Sequence, residues 1–235
     1  ISHCRSPLDK TARCRPATDL SRFAPYRFAF GHANLTRDSL RERLRKFSRN
    51  PTVCFVGASH ASVLNKTTGS LLEGVATVAR IEVRHADEFG NWHIGALVGR
   101  NCTKVVFGTG QWDAGWPRRY LTPFAEYERA LSGAARLLIA AGRQHPMDVV
   151  IRQTHYNPIG DMMQCQPGDR DWRNPAVIDR YNAISRAVCH LHDLPFVDTG
   201  AIMSPVWDSA EDWSHYKDQD SKEAEALYLL DRLFF

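Results

Sequence analysis

No hydrophobic run in this sequence approaches the length of a membrane span. The best candidate, residues 135–141, is short and lies inside an amphipathic helix pattern. We therefore expect no membrane contact by this segment. The sequence starts at Ile1 rather than Met, which leaves room for an upstream signal or anchor segment.

Zinc-type motifs and long basic runs are also missing. The six cysteines contain no C-x-x-C pair, and the scattered histidines lack the spacing of a metal site. The formal charge is +4 over 235 residues, and the basic residues do not form a run with interleaved aromatics. We therefore expect no metal and no nucleic-acid partner, and we assign no cofactor.

The cysteines and asparagines point instead to an oxidising compartment. An even number of cysteines permits a disulfide framework, in which we expect first a Cys4–Cys14 pair; Cys54 equally suits a buried free thiol. Glycosylation acceptor sequences begin at Asn34, Asn65 and Asn101. Together these signals favour the lumen of the secretory pathway or the extracellular space.

Five apolar segments are predicted to be strands. They are residues 52–57, 78–83, 104–108, 148–152 and 194–198. Several are continuous apolar runs, which suit strands covered on both faces. Because helical patterns separate them, the strands should pair in parallel through right-handed crossovers. The expected fold class is α/β, a three-layer α/β/α sandwich around a mostly parallel sheet of about five strands.

The helical patterns have recognisable ends. We expect helices over residues 60–73, 122–141, 174–188 and 219–233. Thr122 is a plausible N-cap before Pro123, and Gly142 is a natural stop for the same helix. Asn174 followed by a proline opens the next long helix in the same way. The segment 90–95 is expected to be a loop.

The amino-terminal part reads differently from the remainder. Residues 1–30 have little periodicity and several prolines, and residues 37–49 form a basic amphipathic pattern that favours a solvated surface helix. We therefore divide the chain into an arm and basic helix over residues 1–50 and one larger domain over residues 51–235. A hydrophobic content of 43% is ample for the core of that domain.

Two distant segments could together form a nucleophilic site. Gly57-Ala58-Ser59 follows the first predicted strand, where a turn into a helix would present the Ser59 hydroxyl. The late segment from Asp212 to His215 supplies a base and its orienting carboxylate. We predict that Ser59 is the nucleophile, that His215 takes its proton, and that Asp212 steadies the imidazolium. We interpret His60, next to the serine, as structural or as lining the pocket.

The carboxyl ends of parallel strands should also supply the oxyanion and substrate contacts. The backbone N–H groups of Ser59 and Gly110 are the best oxyanion donors, with Gly90, Gly95 or the Gln111 side chain as a third. The candidate substrate contacts are Gln111, Trp112, Arg152, His155 and Trp213. Tryptophan faces stack on sugar rings, although packing in the core is an equal alternative, and Arg152 and His155 could instead make internal hydrogen bonds.

Gly57-Ala58-Ser59, Gly110-Gln111-Trp112 and Asp212-x-x-His215 resemble the motifs of the SGNH (GDSL) hydrolase superfamily. The chain is most similar to its PC-esterase and trichome-birefringence-like branch over about residues 50–235. That resemblance implies a Ser59–His215–Asp212 triad and a polysaccharide O-acetyltransferase or related esterase, acting on a glycan with a small acyl donor. Ala58 replaces the usual aspartate, and Trp112 replaces the oxyanion asparagine of the general superfamily.

Two alternatives remain open at the level of sequence. The chain could be a glycan-binding module that kept the fold and lost the catalytic activity. The replacement of the usual aspartate by Ala58 is consistent with that alternative. Alternatively, residues 57–61 could be a degenerate nucleophile elbow of an α/β-hydrolase. The second alternative fits less well, because the serine follows the first predicted core strand and because only two residues separate Asp212 from His215.

Overall fold

The computed structural model describes residues 36–46, 51–115, 121–156, 173–203, 214–216 and 219–234. Within these ranges, strands and helices alternate along the chain. The strands are β1 (Thr52–Gly57), β2 (Thr77–Glu82), β3 (Lys104–Gly108), β4 (Asp148–Arg152) and β5 (Phe196–Val197). The helices are α1 (Arg37–Arg45), α2 (Ser59–Leu71), α3 (Asn91–Gly99), α4 (Phe124–Gln144), α5 (Pro175–His192), α6 (Gly200–Met203) and α7 (Gln219–Phe234).

The five strands form one parallel sheet in the order β2-β1-β3-β4-β5. Residues 53–56 of β1 are all buried, as expected for a parallel strand with both faces covered. Strand β2 lies on one side of β1 and β3 lies on the other, so the strand order reverses between β1 and β3. In open parallel sheets this reversal opens a crevice at the carboxyl ends of the strands.

The two faces of the sheet carry separate hydrophobic layers. On one face Cys54 and Val56 of β1 belong to a core that also contains apolar residues of α4 and α5. On the other face Val53 and Phe55 pack with apolar residues of α1, α2 and α7. Because successive side chains of a strand point to opposite faces, a single strand feeds both layers. The predicted three-layer α/β/α sandwich is confirmed.

Helix α1 is attached to the second layer by both apolar and polar contacts. Its Leu40 and Leu44 are buried, as the amphipathic pattern indicated. Arg37 donates to the Ser70 carbonyl at 2.7 Å, and Arg41 donates to the Glu73 carbonyl. The Ser70 carbonyl lies in the last turn of α2 and the Glu73 carbonyl two residues beyond its end, a region where a helix has unsatisfied acceptors and favours positive charge.

The prediction of a loop at residues 90–95 is wrong, because residues 91–99 form helix α3. Gly95 and Gly99 lower the helix propensity of this stretch, and its periodicity is weak. The helix is stabilised by contacts that the pattern does not reveal: the Gly90 N–H donates to His93 Nδ1 at 3.2 Å, and Leu97 is fully buried in the core.

Several predicted ends are also shifted. Helix α4 begins at Phe124 with Pro123 as its cap residue, and it continues through Gly142 to Gln144. The Thr122 hydroxyl, predicted to cap this helix, instead donates to the Asp113 carboxylate at 3.3 Å. Strand β5 contains only two residues, shorter than predicted. The Asn174 cap of α5 is confirmed, since its side chain accepts the Val177 N–H at 3.0 Å.

Cys54 and Cys102 form a disulfide, with their Cα atoms 5.8 Å apart. The interpretation of Cys54 as a free thiol is therefore wrong. The bond joins the middle of β1 to Cys102, which lies three residues after the end of α3 and two residues before β3 begins. Burial raises the pKa of the unpaired Cys189 thiol to about 12, which makes that thiol unreactive at neutral pH. The predicted Cys4–Cys14 pair lies outside the described residues.

We expect the combined variant Cys54→Ala/Cys102→Ala to lose about 2–4 kcal/mol of unfolding free energy, because the bond closes a long loop in the unfolded chain. The sequence separation of the two cysteines is 48 residues. Urea denaturation of both proteins under non-reducing conditions measures the difference. Cys189→Ala is the matched control, since it removes a buried sulfur without removing a cross-link. Equal losses in the two variants would contradict a stabilising role for the bond.

The described helices include none whose length and apolar character would let it cross a bilayer. Two glycosylation acceptors fall in described regions. Asn101 is exposed after α3, and Asn65 is half-buried within α2. Asn34 lies outside the described residues. Modification of these asparagines, and with it the secretory compartment, stays a prediction.

Candidate active site

Ser59 lies at the carboxyl edge of the sheet, as the first residue of α2 and two residues after the end of β1. Gly57 makes this sharp turn: its φ of +154° and its approach to the Gly108 carbonyl leave no room for a side chain. The Ser59 side chain is half-exposed at the point where the strand order reverses. The cap residue of α2 is Ala58, whose side chain cannot accept hydrogen bonds from the N–H groups of the first helical turn.

The short segment 214–216 brings His215 next to the start of α2. The His215 ring centroid is 5.0 Å from that of His60, the neighbour of Ser59. Ser214 Oγ lies 3.4 Å from His60 Nε2 and accepts a hydrogen bond from Arg173 at 3.2 Å. The structure thus places the predicted base beside the residue that follows the predicted nucleophile. Asp212 and Trp213 lie outside the described residues.

His60 contacts the rings of two other histidines. Its ring packs edge-on against His155, with centroids 5.3 Å apart, and lies at a tilt against His215, with centroids 5.0 Å apart. Removal from water, together with the nearby His155 ring and the Arg152 guanidinium, holds the pKa of His60 well below its usual value. His60 is therefore neutral at neutral pH. Within the described residues, no group of His, Cys, Asp or Glu is arranged to hold a metal ion.

Arg152 and His155, predicted as substrate contacts, lie in the interior at 7% and 3% exposure. Both reach the same oxygen of Glu225 on α7: Arg152 Nε and His155 Nε2 are each 2.7 Å from Glu225 Oε1. Arg152 Nη2 is 2.9 Å from His155 Nδ1 and 2.5 Å from His155 Nε2, and the Thr199 hydroxyl oxygen is 3.1 Å from the same Nε2. A neutral His155 that donates from Nε2 to Glu225 can accept from Arg152 only at Nδ1. This pairing favours an internal role over direct contact with substrate.

Sequence reasoning missed Glu225, although a signal for it was present. Ser221, Glu225, Leu229 and Leu233 follow one another at helical spacing and are all buried in α7. A carboxylate on the apolar stripe of an amphipathic helix needs a buried cationic or hydrogen-bonding partner. The pattern therefore marked Glu225 as unusual, but only the fold identifies its partners.

We expect the contribution of Glu225 to the unfolding free energy to be lost at acidic pH. Burial alone would raise the pKa of its carboxyl, but the Arg152 guanidinium and the His155 ring lower it from 4.5 to about 2. A lowered folded-state pKa stabilises the fold above about pH 4.5, and that stability is lost as the pH falls towards 2. We expect wild type to exceed Glu225→Gln in unfolding free energy at pH 6, and this difference to narrow between pH 4.5 and 2. Denaturant titrations at several pH values measure it; a constant difference would contradict the pairing.

The loop after β3 is held by Asp113, a fully buried carboxylate. One Asp113 oxygen accepts the Gly110 N–H at 3.0 Å, and the other accepts the Thr122 hydroxyl at 3.3 Å and lies 3.4 Å from the Ala86 N–H. Gly110 has a φ of +107°, and a side chain there would meet Thr154. Asp113 thus joins the loops that follow β2 and β3, close to the crevice.

The predicted oxyanion and substrate residues of these loops have protein partners. The Gly110 N–H donates to Asp113, and the Gly90 N–H donates to His93. Gln111 is buried and donates its side-chain N–H to the His155 carbonyl. Trp112 is half-exposed, with the Arg84 guanidinium 5.1 Å from its ring centroid. Of these residues, Trp112 is the one whose side chain remains accessible to a ligand.

The described residues form one parallel sheet of five strands between helical layers, and solved structures of several esterases share this fold. The structure is similar to Est24, a carbohydrate acetylesterase from Sinorhizobium meliloti, with a TM-score of 0.60 and 10% identity over 78% of this chain and 98% of that chain. It is also similar to the acetyl xylan esterase AlAXEase, with a TM-score of 0.57 and 13% identity over 78% of this chain and 100% of that one.

A third similar structure is a catalytic mutant of Axe2, an acetylxylan esterase from Geobacillus stearothermophilus, in which a serine is replaced by alanine. Its TM-score is 0.56 at 15% identity, over 81% of this chain and 97% of that chain. Neither protein-family models nor curated proteins match this sequence. At these identities the likeness establishes the fold.

Proposed function

We propose that this chain is a serine-dependent enzyme that transfers O-acyl groups, most simply O-acetyl groups, of glycans through an acyl-Ser59 intermediate. The observation that carries the proposal is the placement of a half-exposed Ser59 at the first turn of α2, with His215 held against the adjacent His60. The fold is shared with esterases that act on acetylated carbohydrates.

In the first half of the reaction, Ser59 Oγ attacks the carbonyl carbon of the acyl donor while His215 takes the serine proton. The carbon–oxygen bond to the leaving group breaks, and His215 returns the proton to that oxygen. Asp212 is proposed to orient the ring and to stabilise its charged form. In the second half, His215 deprotonates an acceptor hydroxyl, which attacks the acyl carbon. The bond from that carbon to Ser59 Oγ breaks, and His215 returns the proton to Ser59 Oγ.

The oxyanion is proposed to bind at the amino terminus of α2. Ala58 leaves the N–H groups of the first turn without a side-chain cap, and the helix dipole favours negative charge at this end. Gly110 and Gly90 already donate to Asp113 and His93. Either glycine would therefore act as a donor only after exchanging its present partner.

Transferase and esterase differ only in the acceptor of the second half-reaction. The Gly110-Gln111-Trp112 and Asp212-x-x-His215 motifs resemble the polysaccharide O-acetyltransferase branch, which favours a sugar hydroxyl as acceptor. The carbohydrate acetylesterases among similar structures favour water and make an esterase the second candidate. We place the transferase first, with Trp112 and Trp213 as stacking surfaces for the sugar and a secretory or extracellular location.

The experiment that tests the proposal is mass spectrometry of the protein after incubation with an aryl acetate. We expect a 1:1 acetyl adduct on Ser59 in wild type and in Ser62→Ala, a matched control one turn along α2. A screen of oligosaccharide acceptors then identifies the second half-reaction. Discharge only by sugar indicates a transferase, and discharge by water indicates an esterase. An adduct that persists after Ser59→Ala, or no adduct in wild type, overturns the proposal.

A further inference from the structure

We propose that Glu225, on the last helix of the chain, is a positioning residue for His215 and acts through the rings of His155 and His60. The inference rests on the proposed function and extends it to a residue outside the Ser59–His215–Asp212 motif. It is carried by an unbroken series of contacts from α7 to the segment that holds the predicted base.

The series begins with a buried carboxylate. Glu225 is 4% exposed, and its Oε1 atom accepts hydrogen bonds from Arg152 Nε and His155 Nε2, each at 2.7 Å. The Arg152 charge compensates the Glu225 charge, which a carboxylate in the interior requires. The bond from His155 Nε2 to Glu225 orients that ring, and Arg152 Nη2 lies against its edge, 2.9 Å from Nδ1 and 2.5 Å from Nε2.

The His155 ring then contacts two elements of the candidate site. Its centroid lies 5.3 Å from that of His60 and 5.8 Å from that of Tyr216, and both pairs pack edge-to-face. The Tyr216 hydroxyl donates to the Tyr156 carbonyl at 3.1 Å. His155 therefore packs against both His60 on α2 and Tyr216, the residue that follows His215.

His60 contacts the base itself and the residue before it. Its ring lies 5.0 Å from the His215 ring, and its Nε2 atom is 3.4 Å from Ser214 Oγ. Ser214 and His215 therefore contact His60, and Tyr216 contacts His155. A rotation of His155 away from Glu225 would change the packing of His60 and Tyr216, and through His60 the position of His215.

The charges of this cluster suit a supporting role. Burial and the Arg152 guanidinium lower the pKa of His155, although Glu225 partly opposes them, and the pKa of His60 is lowered as well. Both rings are neutral at neutral pH, and Arg152 and Glu225 carry opposite charges. The cluster thus holds His215 in place without adding net charge beside the proton carrier.

The first test replaces Glu225 with glutamine or aspartate. We expect Glu225→Gln to lower kcat for an aryl acetate about 10- to 100-fold and to leave KM within about twofold, because substrate does not touch Glu225. Glu225→Asp, which keeps the charge, should recover most of kcat. The matched control is Glu223→Gln, the same change on the same helix at a less buried position, and it should keep wild-type kcat. Equal kcat in wild type and in a folded Glu225→Gln overturns the proposal.

The second test asks whether Glu225 acts through His155. His155→Phe keeps a ring against His60 and Tyr216 but cannot bond to Glu225, which retains Arg152. We expect His155→Phe to lower kcat about 10-fold. In the His155→Phe background, Glu225→Gln should lower kcat by less than a further factor of about three. Fully multiplicative losses would overturn the route through His155. If the glutamine variant does not fold, Glu225→Met, which also removes the carboxylate, takes its place in this cycle.

A third measurement separates this proposal from the proposed function. In ¹⁵N spectra of the histidine side chains, assigned by a His215→Gln variant, the His215 ring signals should shift in Glu225→Gln and not in Glu223→Gln. This readout does not depend on turnover. Shifted signals in a protein that forms no Ser59 adduct would support the positioning role and refute the acyl-enzyme. Unshifted signals in a protein that does form the adduct would refute the positioning role alone.

Discussion

Ser59→Ala is expected to lower turnover of an aryl acetate or acetylated glycan by about 10⁴-fold or more, because alanine has no hydroxyl oxygen to attack the acyl carbon. Substrate binding should change little, since removal of one hydroxyl oxygen leaves the walls of the crevice intact. Stability should stay within about 1 kcal/mol of wild type, because Ser59 is half-exposed and lies at a helix end. Steady-state kinetics and urea denaturation of the same preparation measure both effects.

Ser62→Ala is the matched control, because it makes the same chemical change at another half-buried position of α2. It should keep turnover within about twofold of wild type. A fluorophosphonate probe should label wild type and Ser62→Ala in a 1:1 ratio and should not label Ser59→Ala. Full turnover in Ser59→Ala would exclude the acyl-enzyme mechanism. Sugar binding without any labelling of wild type would favour the inactive glycan-binding module.

Gly57→Ala is expected to be the most damaging small substitution in the site. A Cβ atom at Gly57 would lie 2.4 Å from the Gly108 carbonyl oxygen, and the φ of +154° is unfavourable for any L-residue with a side chain. Relief requires β1 and β3 to separate at the edge that presents Ser59. We expect a loss of about 2–4 kcal/mol of unfolding free energy and, in the folded fraction, at least about 10-fold slower labelling of Ser59.

The control for Gly57→Ala is Gly133→Ala, in the middle of α4. No atom lies within 4 Å of a Cβ built at Gly133, and its backbone is helical. Alanine should therefore stabilise this helix by about 0.5–1 kcal/mol and leave labelling unchanged. Thermal unfolding and labelling rates compare the two variants. A Gly57→Ala protein as stable and as quickly labelled as wild type would show that the turn is not tightly constrained.

The strands were predictable because each carries its own local signal. Val53 to Val56 and Val105 to Phe107 are apolar runs that suit only a position between two layers. The Asn174 cap was equally local, since an amide side chain before a proline opens a helix in many contexts. Helix α3 was missed because its glycines weaken the local pattern, and contacts of Leu97 in the core outweigh that weakness.

The site was predictable only where a motif carried it. Ser59 follows a strand in sequence, and His215 belongs to a compact motif, so both could be identified without coordinates. Glu225 is 70 residues from His155 in the chain and belongs to no motif, so its pairing could not be foreseen. The Cys54–Cys102 pair was likewise one choice among many, because disulfide connectivity depends on distance in space.

Local sequence accounts for the alternation of strands and helices, the turn that presents Ser59, and the residue types available for proton transfer. These features depend on periodicity and on side-chain chemistry within a few residues. The packing of distant segments pairs Arg152 and His155 with Glu225 in the interior and brings the His60 ring into contact with both His155 and His215. The physical reason is that burial and charge pairing depend on which helices cover the sheet, and distant parts of the chain supply those helices.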